Sequence, residues 1–172
     1  MLIKKDNKLL KKVSSKLAKK DEPQSRCYSL SLKDFIPLKS KTFTILVVDD
    51  DPFAQLVFTE ILEKKTPEGY FFDIEKADNG KAALAIFRQR NKPFSTKAIQ
   101  LIFLDCHMPL KDGYETASDI RVMIENGFLN CYIVGCSAIA EKDTGKESGM
   151  DKFIEKPVKE SDLVEILMKV IK

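Results

Sequence analysis

The feature that most constrains this chain is a repeated alternation of short apolar runs and amphipathic segments from residue 41 onward. Runs such as Ile45–Val48 and Leu101–Leu104 are uniformly apolar and strand-sized, which is typical of strands buried on both faces. Between the runs, apolar residues recur at helical spacing, as at Phe53, Val57 and Ile61. Five strand–helix units in succession predict a parallel sheet with helices on both faces.

Turn and cap residues indicate where each element begins. The predicted strands cover residues 43–48, 71–77, 99–104, 131–136 and 152–155. The predicted helices start at Asp51-Pro52, Asn79-Gly80, Asp112-Gly113, Ala138 and Pro157, and the last one ends at Ile171. Because crossovers between parallel strands are right-handed, we expect an α/β, flavodoxin-like, doubly wound five-stranded sheet with strand order 2-1-3-4-5.

Charge divides the chain near residue 40. Residues 1–40 carry a net charge of +7 and residues 41–172 carry −4, within a total of +3. We therefore interpret 1–40 as a basic, Lys-rich extension or linker and 41–172 as the folded domain. We expect a solvated linker, and the alternative is a basic amphipathic helix that lies on an anionic membrane surface or on a partner.

Composition excludes several classes of protein. No stretch approaches the ~20 apolar residues of a membrane span, and the N-terminal lysines are not followed by the apolar core of a secretory signal. We therefore expect a cytoplasmic location. The cysteines form no C-x-x-C pair and are expected to be reduced thiols, with Cys106 filling space in the core. The four positions are Cys27, Cys106, Cys131 and Cys136.

Polar residues collect at the carboxyl ends of the predicted strands, where open parallel sheets bind ligands. These residues are Asp49, Asp50, Asp51, Asp105, Ser137 and Lys156. Two carboxylates ~5 Å apart repel by about 3 kcal/mol at an effective dielectric constant of ~20, so such a cluster needs cations. Lys156 offsets one charge, and Mg²⁺ suits the remaining oxygen ligands. Asp51 precedes Pro52 and is expected to be a helix N-cap instead.

Four motifs occupy the strand ends in a fixed order. They are Ile45-Leu-Val-Val-Asp-Asp-Asp-Pro52, Leu104-Asp-Cys-His-Met-Pro109 with Asp112-Gly113, Ser137-Ala138, and Phe153-Ile-Glu-Lys-Pro157. With these motifs, residues 43–171 resemble the receiver domain of two-component response regulators. Segments 108–115 and 149–153 are most similar to the receivers of hybrid sensor histidine kinases.

The resemblance implies phosphoacceptor chemistry. Asp105 would be the carboxylate nucleophile that takes a phosphoryl group from a partner histidine. Asp49, Asp50 and Asp105 would bind Mg²⁺ together with the backbone carbonyl of His107. The domain would catalyse its own Mg²⁺-dependent phosphorylation and dephosphorylation without being a conventional enzyme.

The resemblance also implies a conformational switch. Lys156 would pair with Asp105 and then with the phosphoryl oxygens, while Ser137 would donate a hydrogen bond to one of them. Phe153 would turn inward when Ser137 moves toward the phosphate. Phosphorylation would in this way shift the population between two arrangements of the domain.

The single histidine defines the expected partner. His107 lies on the loop after Asp105, and the chain has no helical donor histidine and no Gly-rich ATP motif. The phosphodonor must therefore be a histidine kinase or a histidine phosphotransfer domain, for a receiver that stands alone or belongs to a hybrid sensor histidine kinase. Only one predicted helix follows Lys156, so we expect no DNA-binding output domain and no nucleic-acid partner for the folded domain.

Two other functions are compatible with parts of the pattern. Asp49-x-Asp51 after an apolar strand is similar to the first motif of haloacid-dehalogenase-like phosphatases, in which Asp49 would be the nucleophile. That family needs a further acid pair near a late strand, whereas Asp162 and Glu165 fall inside a predicted helix. The other alternative is a receiver that cannot be phosphorylated and serves only for docking.

Overall fold

The computed structural model of the protein describes residues 41–138 and 148–171. The basic extension 1–40, with its predicted membrane or partner contacts, lies outside the described residues. The same holds for nearly all of the helix predicted to start at Ala138.

Five parallel strands form one sheet in the order β2-β1-β3-β4-β5, which confirms the predicted fold class. The strands are β1 (Lys41–Val48), β2 (Tyr70–Ala77), β3 (Ile99–Asp105), β4 (Tyr132–Ser137) and β5 (Lys152–Glu155). The helices described are α1 (Pro52–Lys64), α2 (Gly80–Arg90), α3 (Gly113–Glu125) and α4 (Glu160–Val170).

The helices cover both faces of the sheet because side chains alternate along each strand. In β1, Leu46 and Val48 point into a buried cluster with residues of α2 and α3. Ile45 and Val47 point into a second buried cluster with residues of α1 and α4. The continuous apolar run of β1 therefore serves two cores, one on each face.

Three helices begin at the polar residues that the sequence predicted as their starts. The Asp51 side chain accepts a hydrogen bond from the Phe53 amide at 2.9 Å, and Asp112 accepts from the Glu115 amide at 2.8 Å. Asn79 caps α2 in the same way. These caps satisfy amide groups that have no partner within the first helical turn.

The first strand begins earlier than predicted. It starts at Lys41 rather than at residue 43, because Lys41 and Thr42 pair with Tyr70 and Phe71 of β2. Lys41 and Thr42 are exposed polar residues, so they lack the apolar signal from which the strand was predicted.

The last helix begins at Glu160, not at Pro157 as predicted, and it ends at Val170. The chain continues alongside β4 after β5 ends, since the Lys156 amide donates to the Ser137 carbonyl at 2.8 Å. Pro157 therefore lies in the connection that leads to the helix. A proline suits the first turn of a helix, but here it precedes that turn.

Three cysteines within the described part of the chain are buried and form no disulfide there. Cys131 and Cys136 contribute to different clusters on opposite faces of the sheet. Burial raises the pKa of Cys131 to about 12, despite the opposing effect of Arg121, so this thiol is not nucleophilic at neutral pH. Cys106 packs in the core, as predicted.

Within residues 41–138 and 148–171, none of the helices has the length and apolar character needed to cross a membrane.

Candidate functional site

Three carboxylates meet at the carboxyl edge of the sheet. Asp49 and Asp50 directly follow β1, and Asp105 is the last residue of β3. These two strands are neighbours in the sheet, so their ends lie side by side. One carboxylate oxygen from each residue lies within 4.8 Å of the other two. The sequence prediction that these three residues converge is therefore met by the structure.

The three carboxylates differ in burial. Asp49 is 1% exposed and Asp105 is 7% exposed, whereas Asp50 faces solvent. The Asp49 carboxylate accepts the Asp51 amide at 3.0 Å, and the Asp105 carboxylate accepts the His107 amide at 3.3 Å. Backbone donors thus orient the two buried carboxylates, and the cluster opens to water on the side of Asp50.

Lys156 bridges the two buried carboxylates. Its Nζ lies 2.9 Å from Asp49 Oδ2 and 2.9 Å from Asp105 Oδ2. Burial alone would lower the pKa of Lys156, but its hydrogen bonds to Asp49 and Asp105 outweigh that effect and raise it. The ammonium group is therefore charged at neutral pH. One ammonium against three carboxylates leaves a net charge of −2.

The donor set fits a hard divalent cation. All three clustered groups offer carboxylate oxygens, which are the ligands that Mg²⁺ prefers in proteins. A charge of +2 would balance the net −2 of the four residues, and the exposed side at Asp50 leaves room for the water ligands that Mg²⁺ retains.

Ser137 lies on β4, the strand next to that of Asp105, and Phe153 lies on β5, the edge strand beyond it. Ser137 is the last residue of β4 and is buried, and its preceding residue Cys136 pairs with Asp105. Phe153 in β5 pairs with Gly135 in β4. The structure thus places Ser137 at the same edge as the acidic cluster, while the switching roles of both residues stay predictions.

His107 is exposed on the loop after β3, as the sequence predicted. Its ring meets Tyr114 edge-on, with the ring centroids 6.1 Å apart. Its predicted use of the backbone carbonyl as a metal ligand stays a prediction, although its amide already contacts Asp105.

Gly113 has a role at the site that the sequence analysis overlooked. A β-carbon at this position would overlap the carbonyl oxygen of Asp105, and the Gly113 amide donates to the Cys106 carbonyl at 3.0 Å. The absence of a side chain lets α3 start directly against the end of β3. The sequence shows only a glycine after a helix cap, which does not indicate this close approach.

Gly135 is a second residue that local sequence could not identify. A β-carbon there would lie 2.6 Å from the Phe153 ring, so the glycine provides the space for that ring. The ring also stacks against Tyr114, with centroids 6.5 Å apart. This packing depends on strand register, which becomes visible only in the folded sheet.

Comparison with known proteins places these residues in a family. The model of the response regulator receiver domain matches residues 45–168. The chemotaxis protein CheY of Halobacterium salinarum is 26% identical over 131 residues, a match that covers 74% of this chain and 95% of that protein. Hybrid signal transduction histidine kinase E of Dictyostelium discoideum is 28% identical over 143 residues, covering 81% of this chain but only 8% of the kinase.

A solved structure supports the same grouping. The receiver domain of the histidine kinase CKI1 from Arabidopsis thaliana, complexed with Mg²⁺ and BeF₃⁻, is 26% identical and superimposes with a TM-score of 0.64. The match covers 74% of this chain and 89% of that domain. The family model, the sheet order and these relatives agree, and the chain therefore belongs to the response regulator receiver domain family of two-component signalling.

Proposed function

We propose that Asp105 accepts a phosphoryl group from a histidine of a donor protein, at a site where Asp49, Asp50, Asp105 and the His107 carbonyl hold Mg²⁺. One observation carries this proposal. Lys156 touches two of the three clustered carboxylates at 2.9 Å, and the remaining net charge of −2 is the charge that a divalent ion balances. The Mg²⁺ and BeF₃⁻ complex of the Arabidopsis receiver supports the same assignment.

When bound, Mg²⁺ would supply the positive charge that offsets the phosphoryl oxygens during transfer. The Asp105 carboxylate attacks phosphorus, forming an O–P bond as the P–N bond to the donor histidine breaks. The donor ring, which carries a proton on its other nitrogen, leaves with the P–N electron pair as a neutral imidazole, and Asp105 becomes an acyl phosphate.

Lys156 and Ser137 hold the transferred group. The Lys156 ammonium already lies at Asp105 and donates to a phosphoryl oxygen after transfer, while it keeps its contact with Asp49. The Ser137 hydroxyl, at the end of the neighbouring strand, donates to a second oxygen. The Lys156 contact with Asp105 is in place before the reaction, which reduces the reorganisation needed in the transition state.

The same contacts would drive the conformational response. Ser137 approaches the phosphate, and the half-buried ring of Phe153 fills the space that opens beside β4. A shift from 1:99 to 99:1 between two states needs about 5.5 kcal/mol of contacts that exist in only one of them. New bonds from Ser137 and Lys156, together with metal rearrangement, supply contacts of that kind.

The donor docks on an apolar groove that begins beside Lys156. Phe53, Leu56 and Val57 of α1 are 70%, 49% and 37% exposed, which is typical of a protein interface rather than a free surface. The groove has a volume of about 210 Å³ and is lined by Asp51, Phe53, Ala54, Val57, Phe58, Ile61, Lys156, Pro157, Val158 and Leu163. A helical domain of a histidine kinase or phosphotransfer protein seated here has its phosphohistidine next to Asp105.

A small-molecule phosphodonor tests the proposal directly. The protein is incubated with acetyl phosphate and Mg²⁺, and uptake is followed by intact mass and peptide mapping. We expect one phosphoryl group on Asp105, none on Asp105→Asn, and full uptake by Asp51→Asn, because asparagine caps α1 as well as aspartate does.

The other outcomes of this experiment decide between the alternatives. Modification of Asp49 with Asp105 unmodified would support the haloacid-dehalogenase-like phosphatase. Failure to take up phosphate from acetyl phosphate and from every histidine donor tried would support a receiver used only for docking.

A further inference from the structure

Gln55 joins helix α1 to the ends of two strands. Its Nε2 donates to the Asp49 carbonyl at 2.8 Å and to the Ala77 carbonyl at 2.9 Å. The Asp49 amide donates to the same Ala77 carbonyl at 3.1 Å. One side-chain amide therefore fixes the corner where β1, β2 and α1 meet.

This corner contains the first two residues of the acidic cluster. The Asp49 carbonyl lies in the same planar peptide unit as the Asp50 nitrogen. A donor that holds the carbonyl therefore also sets the direction in which Asp50 leaves the strand. Asp50 is the exposed member of the cluster, so it has less packing to define its orientation than Asp49 has.

The chemistry of glutamine matches this task. A primary amide offers two N–H donors from one nitrogen, and two carbonyl oxygens accept them here. Methionine has a similar length and no donor, while glutamate would add acceptors and a further negative charge beside the cluster. Substitution by methionine therefore removes both hydrogen bonds with little change in volume.

We propose that Gln55 is a positioning residue of the acidic site, which holds the Asp49–Asp50 turn in the orientation that binds Mg²⁺. The inference rests on the proposed function in one respect, namely that the cluster binds the metal. The competing explanation is that Gln55 only anchors α1 and contributes to stability.

A second glutamine provides a matched control. Gln100 Oε1 accepts the Thr44 amide at 3.0 Å, far along β1 from the acidic cluster. Gln100 itself lies in β3. Gln100→Met thus removes one hydrogen bond between a glutamine side chain and the backbone of β1, at a distance from the acidic cluster. Both variants are compared with the wild-type protein by urea unfolding, by calorimetric Mg²⁺ titration and by amide hydrogen exchange without metal.

Gln55→Met is expected to raise the dissociation constant for Mg²⁺ about tenfold, as is common when a residue that orients metal ligands is lost. Gln100→Met should leave it unchanged. In the metal-free protein, Gln55→Met should speed hydrogen exchange at the Asp49 amide, whereas Gln100→Met should affect the Thr44 amide instead.

Equal Mg²⁺ affinity and equal Asp49 protection in the two variants would overturn the proposal and leave Gln55 as a stability anchor. A change in exchange without a change in metal affinity would overturn it as well, because the turn would then be free to move without cost to binding. Wild-type protein that binds no Mg²⁺ would refute the proposed function and, with it, the metal-positioning role. In that case hydrogen exchange at the Asp49 amide would still show whether Gln55 holds the Asp49–Asp50 turn.

Discussion

At the scale of single residues, the carboxylates of the acidic site repel one another and attract a cation, and a substitution can separate these two effects. Asp50 is exposed, yet its carboxylate lies within 4.8 Å of those of Asp49 and Asp105. In the absence of metal, Asp50→Asn should raise the free energy of unfolding by about 0.5–1 kcal/mol, a value well below the full repulsion because solvent screens this side chain. The same variant should lose most of the stabilisation that added Mg²⁺ gives the wild type.

Urea unfolding in EDTA and in excess Mg²⁺ measures both effects. Asp51→Asn is the matched control, since it removes an adjacent charge outside the cluster and keeps the cap of α1. A metal-free Asp50→Asn protein less stable than the wild type would show that attraction, not repulsion, dominates at this carboxylate.

Lys156 gives the site its expected pH dependence. The pKa of Lys156 is lowered by burial but raised more strongly by hydrogen bonds to Asp49 and Asp105, so it lies above that of the unfolded chain. The stabilisation from this contact is therefore complete below the unfolded pKa of about 10.4, and it is lost as pH rises through the folded pKa.

The difference in unfolding free energy between the wild type and Lys156→Met isolates this contact from other titrating groups. In metal-free buffer it should be constant from about pH 7 to 9.5 and shrink above about pH 10.4. Urea unfolding across this range measures it. A difference that grows with alkaline pH would mean that the lysine is not held as a cation by the two aspartates.

At the scale of elements, one buried asparagine connects three segments. Asn91 directly follows α2. Its side-chain Nδ2 donates hydrogen bonds to the carbonyls of Ile99 and Leu129 at 2.9 and 3.1 Å. Its side-chain oxygen accepts the Ile99 amide at 2.9 Å. Asn91→Ala would leave these buried backbone groups without partners and should cost about 2–4 kcal/mol of stability.

Asn126 directly follows α3 in the corresponding position, but its side chain is exposed, and within the described residues it donates a hydrogen bond only to the Val122 carbonyl of its own helix. Asn126→Ala should therefore cost less than about 1 kcal/mol, which urea unfolding can resolve from the larger loss. Similar losses in both variants would show that Asn91 acts only as a helix end.

Elements were predictable where their signal is local. The apolar runs of β1 and β3 and the caps Asp51 and Asp112 each identify an element from a few neighbouring residues. Contacts between residues distant in sequence left no such signal. Gln55 is 22 positions from Ala77, and the Gly135 gap for Phe153 depends on pairing between strands.

At the scale of the whole molecule, the sheet order explains why the acidic cluster could be predicted. Strand order 2-1-3-4-5 makes β1 and β3 neighbours, so acids after each strand meet without any local contact between them. Lys156 follows the strand at one edge of the sheet, and its long side chain reaches both buried aspartates. The sheet topology therefore brings together residues that are more than fifty positions apart in the sequence, and this made the site predictable.

The same topology places the apolar groove of α1 beside the acidic edge, and this adjacency separates two kinds of phosphodonor. Under the proposed function, a histidine protein would bind the groove, whereas acetyl phosphate would need only the acidic site. The double substitution of Phe53 and Val57 by alanine should slow transfer from a histidine phosphotransfer domain tenfold or more, since an aromatic anchor contributes about 2 kcal/mol or more to an interface. Uptake from acetyl phosphate should not change.

Val122→Ala removes an exposed apolar side chain from α3, on the other face of the sheet, and should affect neither reaction. The prediction is tested by the initial rates of phosphoryl transfer from each donor, compared between proteins of equal thermal stability. Equal slowing with both donors would mean that the substitutions disturb the acidic site itself. Unchanged transfer from the histidine domain would mean that the donor binds elsewhere, because a partner seated on α1 cannot lose two exposed apolar contacts without dissociating faster.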